Sequence, residues 1–287
     1  MAYADVVYVM QRPHCIAIGQ SGEICKINDS MVVKYPKSFP GETTYNELRQ
    51  QFLDVERQIY ERLGLHDGIL QFFGVWNETG AIRLAYANQG DLRAYIRSHD
   101  APPQAFRKMW IRLLVETFYH IYSRKVLHQD VKLSNILIKD DTPKVADFAN
   151  GAIFPIDADM ELICAQDPLS RIDLLGIGCL MYSVGMWQDF EYDYFENDRW
   201  PTPEELPSTH GVLYGEVIAR CWNNEYSTVK SLYEDFRGCN RESGIMTIRT
   251  RNLLRQATSK SGRIRTDQQD EDHDTKLGTI YTPDSRG

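Results

Sequence analysis

The chain has 287 residues, long enough for one large domain or two lobes around a sizeable core. Thirty-two basic residues against 40 acidic ones leave a net charge of −8, which argues against generic binding to nucleic acid or to an anionic membrane. The six cysteines, at positions 15, 25, 164, 179, 221 and 239, form no C-x-x-C pair and read as reduced thiols of an intracellular protein, cytoplasmic or nuclear.

The amino-terminal run MAYADVVYVMQRPHC lacks a basic leader followed by an apolar block, so no signal peptide is expected. CIAIG (15–19) and EICKIN (23–28) are short β-like runs joined by a Gly-containing turn, and MVVKYP (31–36) is a third, closed by Pro36. YNELRQQFLDVERQIYERLG reads as a helix, with Phe52, Val55, Ile59 and Leu63 on one stripe and Gly64 as a stop. ILQFFGVWNE and AIRLAYA are two further strands, and NQGDL (88–92) marks a turn at a lobe boundary. Past residue 92 the pattern turns helical: Trp110, Leu113, Leu114, Thr117, Phe118 and Ile121 recur at helix spacing. LLGIGCLMYSVGMW (174–187) is uncharged but has only fourteen residues. A membrane span needs about 20, so a buried core helix is expected there. Helical stretches follow near 203–236, and from about 239 polar residues dominate, giving an expected disordered tail over 239–287.

The stretch 128–151 reads HQDVKLSNILIKDDTPKVADFANG. Residues 136–139 and 144–147 are strand-like and flank a turn composition. An antiparallel hairpin with 139 opposite 144 and 136 opposite 147 brings Asn135 and Asp147 side by side at its open end. Two oxygen donors placed this way suit a hard cation such as Mg²⁺, which completes its shell with phosphates and water. Asp130 and Lys132 lie just upstream; a carboxylate can orient an attacking hydroxyl, and an ammonium can neutralise a phosphoryl group in flight. Any one of these residues alone suits a solvated polar loop, but the joint pattern is far less common by chance.

H-x-D-x-K-x-x-N followed by D-F resembles the catalytic loop and metal-binding turn of eukaryotic protein kinases, over roughly residues 12–238. Lys132, two places after Asp130, is similar to the Ser/Thr-directed branch, and VERQIYERLG with DFA for DFG resembles the short, divergent kinases of filamentous fungi. The resemblance implies an α+β, bilobal fold: a β-rich N-lobe over 12–84, a hinge over 85–92 and a helical C-lobe over 93–238. It implies ATP and Mg²⁺ as cofactors, Asp130 and Lys132 as catalytic groups, and Asn135 and Asp147 as metal ligands. It further implies that Lys34, in MVVK, grips the phosphates and pairs with Glu56, a carboxylate on an apolar stripe that would be expensive to bury alone. AIGQSGEI offers Gly19, Gly22 and Ile24 to the nucleotide-covering loop, with Ala17 at the first glycine; a plain β-turn is the alternative. Leu84-Ala85-Tyr86-Ala87 fits an adenine-binding hinge, although an ordinary linker would look similar. Asp173 would tie down the catalytic-loop backbone, and would also serve as a helix N-cap.

The sequence departs from the family pattern at several places. Gln129 stands where the family has Arg, and between Phe148 and Ile172 the only hydroxyl side chain is Ser170, so control by loop phosphorylation is not expected. Ala149 replaces a glycine, a change that costs roughly 1 kcal/mol where glycine-like dihedrals are needed. The A-P-E motif and its arginine partner are both missing, which leaves protein-substrate recognition as the least supported part of the resemblance. The expectation is a monomeric ATP-dependent kinase acting on Ser/Thr hydroxyls of a protein, with no nucleic-acid or membrane partner. Two alternatives stay open: a catalytically silent ATP- or partner-binding scaffold, and a small-molecule kinase of the aminoglycoside-phosphotransferase type, against which Lys132 and the 203–236 region count.

Overall fold

The structure, a computed structural model, describes residues 12–19 and 22–242. Strands β1 (Cys15–Ile18), β2 (Gly22–Asn28), β3 (Met31–Pro36), β4 (Phe72–Val75) and β5 (Ile82–Ala85) form one antiparallel sheet in the order β1-β2-β3-β5-β4. Pro36 ends β3 because it has no N–H to continue the ladder. The register sets Lys34 opposite Ile24 on one side and Ile82 on the other, so a lysine lies buried in a central strand. Helix α1 (Thr43–Leu63) crosses this sheet with Leu53, Glu56, Ile59, Tyr60 and Leu63 buried, and it stops at Gly64, whose φ of 67° favours glycine.

The second lobe is mainly helical. It contains α2 (Leu92–Ser98), α3 (Gln104–Ser123), β6 (Val126–Leu127), β7 (Ile136–Lys139), β8 (Thr142–Val145), β9 (Ala152–Ile153) and α4 (Met160–Gln166). It closes with α5 (Ile172–Met186), α6 (Tyr194–Asn197), α7 (Gly215–Trp222) and α8 (Val229–Glu242). Every residue of α5 from Ile172 to Gly185 is buried, and α3, α7 and α8 pack around it. With the turn before it, the stretch Pro168–Met186 is long and apolar enough to cross a membrane, yet most of it is buried inside the protein, as a core helix would be. A Cβ at Gly176 would lie 2.5 Å from both Val131 Cβ and Val131 O, so the close approach of α5 to Val131 requires a glycine at this position. Gly176→Ala therefore loses more to this clash, about 1–3 kcal/mol, than the roughly 1 kcal/mol that helix propensity returns. Thermal denaturation is expected to show a net loss of stability.

The helical stretches expected near 203–236 are a short turn over 203–205, α7 and α8, separated by Pro207 and by the positive φ of Gly211 (77°) and Tyr214 (59°). Two expectations are corrected. The hairpin is shifted: Lys139 pairs with Thr142 and Ile136 with Val145, instead of 139 with 144 and 136 with 147. Asp140 and Asp141 alone form the turn, with φ of 50° and 57°, the mirror-type two-residue geometry that suits a twisted hairpin. Finally, α8 runs past residue 238 to Glu242. The rest of the expected tail, like the amino-terminal residues 1–11, lies outside the described residues.

Candidate active site

The loop 128–135 is positioned by hydrogen bonds to its backbone. Asp173, buried in the first turn of α5, accepts from His128 N at Oδ2 and from Gln129 N at Oδ1, both at 2.7 Å. The residue capping α5 is Arg171, so Asp173 ties the loop and does not serve as the N-cap. Burial pushes the Asp173 carboxyl up from its ordinary value, against the pull of His128 and the two amides. His128 accepts from Asp130 N at Nδ1 (3.3 Å), which leaves the proton on Nε2, where it donates to Ala146 O at 3.1 Å. Below the loop, Glu191 accepts from Leu133 N at 2.5 Å and pairs with Arg93 on α2.

Three donors converge on one oxygen of Asp130. Asn135 Nδ2 lies 3.0 Å from Oδ2, Lys132 Nζ 2.8 Å and Asn150 Nδ2 3.2 Å. Asn135 Nδ2 also donates to Asp130 O at 2.8 Å. Its amide nitrogen is thus committed to the loop, and the side-chain oxygen is the group left to face a cation. Ala146 N donates to Asn135 O at 2.9 Å, which carries the hairpin one step beyond its last strand pair and delivers Asp147 beside Asn135.

Lys34 Nζ lies 2.7 Å from Glu56 Oε2 and 2.8 Å from Asp147 Oδ1. Burial works against the Lys34 ammonium, but the two carboxylates outweigh it and hold its pKa above the ordinary lysine value. Burial likewise opposes ionisation of Asp147, yet Lys34 keeps that carboxyl below the usual range. Glu56, fully buried, is pushed up to about 7 by desolvation, with Lys34 pulling the other way. Phe148 is fully buried, 5.0 Å edge-on from Tyr60 of α1 and 4.9 Å from His128, so the Asp-Phe pair is fixed by packing on both sides. Ala149 does not take a positive φ; Asp147 does, at 61°. The expected strain at position 149 is therefore absent from this arrangement, since the left-handed residue of the turn comes two places earlier.

Two adjoining cavities, of about 410 and 280 Å³, share Ala17, Ile24, Ser134, Asn135 and Asp147. The larger is lined by Lys34, Glu56, Ala85, Tyr86 and Ala87 and walled by Leu70, Leu84 and Leu137; the smaller by Gly19, Asp130 and Lys132. Gly22 lines neither: a Cβ there would meet Tyr35 O at 2.5 Å, so its glycine serves the close approach of β2 to β3. The amides of Ala85 and Tyr86 donate to Gln71 O (2.8 Å) and Ser30 O (2.9 Å), and Ala87 lines the larger cavity beside them. The motifs do not reveal Arg49 and Phe52 in the smaller cavity, or Asn150 and Glu191 around the loop. All four look like ordinary helix or loop residues in the sequence. No cluster of three or more His, Cys, Asp or Glu suited to a metal occurs among the described residues. An Asn and an Asp facing a shared cavity instead fit a hard cation that keeps most of its shell as phosphate and water.

A β-sheet lobe and a helical lobe flank a largely apolar cavity that adjoins Asp, Asn and Lys side chains. The sequence profile described as protein kinase domain matches residues 16–186, and the chain belongs to the protein kinase family, with its bilobal α+β fold. It is 32% identical over 182 residues to the mitosis inducer protein kinase cdr1 of Schizosaccharomyces pombe, covering 55% of this chain and 31% of that protein. It is 28% identical over 201 residues to the mitogen-activated protein kinase kinase kinase dlk-1 of Caenorhabditis elegans, covering 60% of this chain and 22% of the relative. The serine/threonine-protein kinase chk-1 of Caenorhabditis briggsae is 27% identical over 171 residues, 56% of this chain and 34% of the relative. The aligned parts thus span about a third or less of these relatives' lengths.

Proposed function

We propose that the chain transfers the γ-phosphoryl group of ATP to Ser or Thr hydroxyls of a protein, without control by phosphorylation of the segment after Phe148. The observation that carries this reading is the Lys34 ammonium bridging Glu56 and Asp147, because it joins β3, α1 and the hairpin into one assembled site. Ala87 would bond the nucleotide base, and Lys34 would hold the phosphates in a fixed geometry. Asn135 and Asp147 would hold the magnesium ion, which when bound neutralises charge on the phosphates. Asp130 would orient the acceptor hydroxyl and take its proton, while Lys132 steadies the transferred group. Most of this chemistry is positioning and charge compensation, and both are supplied by side chains already tied in place.

Ser170, the hydroxyl of the segment, is buried and donates to Asp167 O at 2.5 Å, which supports independence from loop phosphorylation. Phosphatase pretreatment is therefore expected to leave the transfer rate unchanged. Free, buried thiols at Cys25, Cys164, Cys179 and Cys221 support an intracellular setting.

The test is incorporation of label from γ-labelled Mg-ATP into a protein acceptor, comparing wild type with Lys34→Met. Label on Ser and Thr, lost in the variant, is expected. Equal background in both overturns the catalytic reading, and a nucleotide-induced rise in Tm without transfer would instead indicate a binding scaffold. A pH profile gives a second check. Because Glu56 is raised to about 7, it is ionised, and its pair with Lys34 complete, only above that pH. Transfer is expected to rise with pH through about 7, and Glu56→Gln to remove that limb. Stability moves the other way: the folded state favours neutral Glu56, so its contribution weakens as pH climbs from 4.5 to about 7.

A further inference from the structure

Arg49 lies on the same face of α1 as Glu56, nearer the helix start, and lines the smaller cavity together with Gly19, Phe52, Asp130 and Lys132. Its guanidinium carbon stands 4.5 Å from the centre of the Tyr45 ring and 5.5 Å from that of Phe52. Phe39 supports Tyr45 edge-on at 5.2 Å. Two rings thus hold the guanidinium in place. Neither ring satisfies its in-plane donors, however. Nε and Nη1 are buried and form no hydrogen bond among the described residues. Buried donors left without an acceptor cost free energy, and a cation–π contact returns only part of it. Such an arrangement is understandable where the missing acceptor is an anion that enters the cavity.

The neighbouring cations are already engaged: Lys34 by Glu56 and Asp147, and Lys132 by Asp130. Arg49 is the cation on this wall whose donors face no carboxylate among the described residues. If the nucleotide base occupies the larger cavity, the phosphates cross at Asn135 and Asp147, which both cavities share. The terminal phosphoryl group then arrives between Arg49 and Asp130. We propose that Arg49 donates to the non-bridging oxygens of that phosphoryl group and is a further catalytic residue of the transfer; this rests on the phosphotransfer reading given above. The acceptor hydroxyl oxygen forms the new bond to phosphorus and its proton passes to the Asp130 carboxylate. The bond from phosphorus to the bridging oxygen breaks, with its electron pair leaving on ADP. Arg49 compensates charge through planar N–H donors.

Calorimetry on the full chain tests this, with Mg-ADP and the magnesium complex of the non-hydrolysable β,γ-imido analogue of ATP as probes. Arg49→Met keeps a long unbranched side chain beside Tyr45 and Phe52 but removes the charge, and Arg49→Gln removes the charge while keeping an amide donor. For both variants the analogue should bind about tenfold more weakly, the range of a charge-assisted hydrogen bond, while ADP affinity changes less than twofold. Arg49→Lys should recover part of the loss. The Tm of each variant without nucleotide reports whether the fold is intact. Equal losses for both nucleotides, or loss for neither, overturn the role of Arg49 alone. A wild-type chain that binds neither nucleotide refutes the phosphotransfer reading and this inference with it.

Discussion

Asp130→Asn is expected to lower the rate of phosphoryl transfer by about 10²–10⁴-fold, the usual contribution of a positioned general base. The substitution is nearly isosteric. Its side-chain oxygen can still accept from Lys132, Asn135 and Asn150, which surround the carboxylate at 2.8–3.2 Å. The loop should therefore keep its shape, and the Tm should move little. What the amide cannot do is take the proton of the acceptor hydroxyl. Nucleotide affinity should be nearly unchanged, because Asp130 does not line the larger cavity where the base would lie. A reduced kcat with an unaltered dissociation constant for Mg-ADP is the expected pattern. Transfer at the wild-type rate would rule out Asp130 as the base.

Asp173→Ala is expected to be the most destabilising of the single substitutions considered, although Asp173 lines neither cavity. It deletes two 2.7 Å hydrogen bonds and leaves the amides of His128 and Gln129 without their acceptor. Each orphaned buried group costs about 1–3 kcal/mol, so the total is about 2–6 kcal/mol. Relief of the buried charge offsets part of this, since burial already opposes ionisation of Asp173. The net should remain a clear loss, because two amides are orphaned for one carboxylate removed. Gln129 holds a φ of 58°, a conformation that the bond to Asp173 helps maintain. Asp173→Asn separates the effects, because a single amide oxygen can serve only one of the two donors well. Denaturant unfolding should rank stability as wild type above Asn above Ala. Transfer should fall in the same order as Asp130 loses its fixed place. An Ala variant as stable as wild type would mean that the loop is held by other contacts, such as Leu133 to Glu191.

Much of the site could be read directly from the chain. Asp130, Lys132, Asn135 and Asp147 fall within eighteen consecutive positions, 130–147, and strand and turn geometry alone folds such a segment back on itself. Glu56 showed itself as a carboxylate on an apolar stripe, a placement that needs a partner, and Lys34 proves to be that partner at 2.7 Å. The apolar run of α5 identified itself as a core helix by its length and lack of charge. In each case the signal was local: a spacing, or a residue at odds with its immediate neighbours.

What the sequence could not supply came from elsewhere in the chain. The hairpin register departs from the one its sequence suggests, because DDTP has the composition of a four-residue turn. In the fold, Asn88 and Gln89 reach across to Asp140 and Asp141 through four hydrogen bonds of 2.7–3.1 Å, and Trp110 donates to Asp141 O at 3.1 Å. Those contacts select two aspartates in the left-handed region, and Thr142 and Pro143 then join the strand. Arg49, Asn150 and Glu191 became visible only once distant segments had met, because a polar residue on a helix or loop carries no local mark of what it will face. The sequence by itself determined which chemical groups the site would contain, since the short segment 130–147 holds most of them at spacings that backbone geometry converts into proximity. Tertiary structure alone decided their register, their partners and which donors were left open, because hydrogen bonds between residues dozens of positions apart form only after the two lobes have packed.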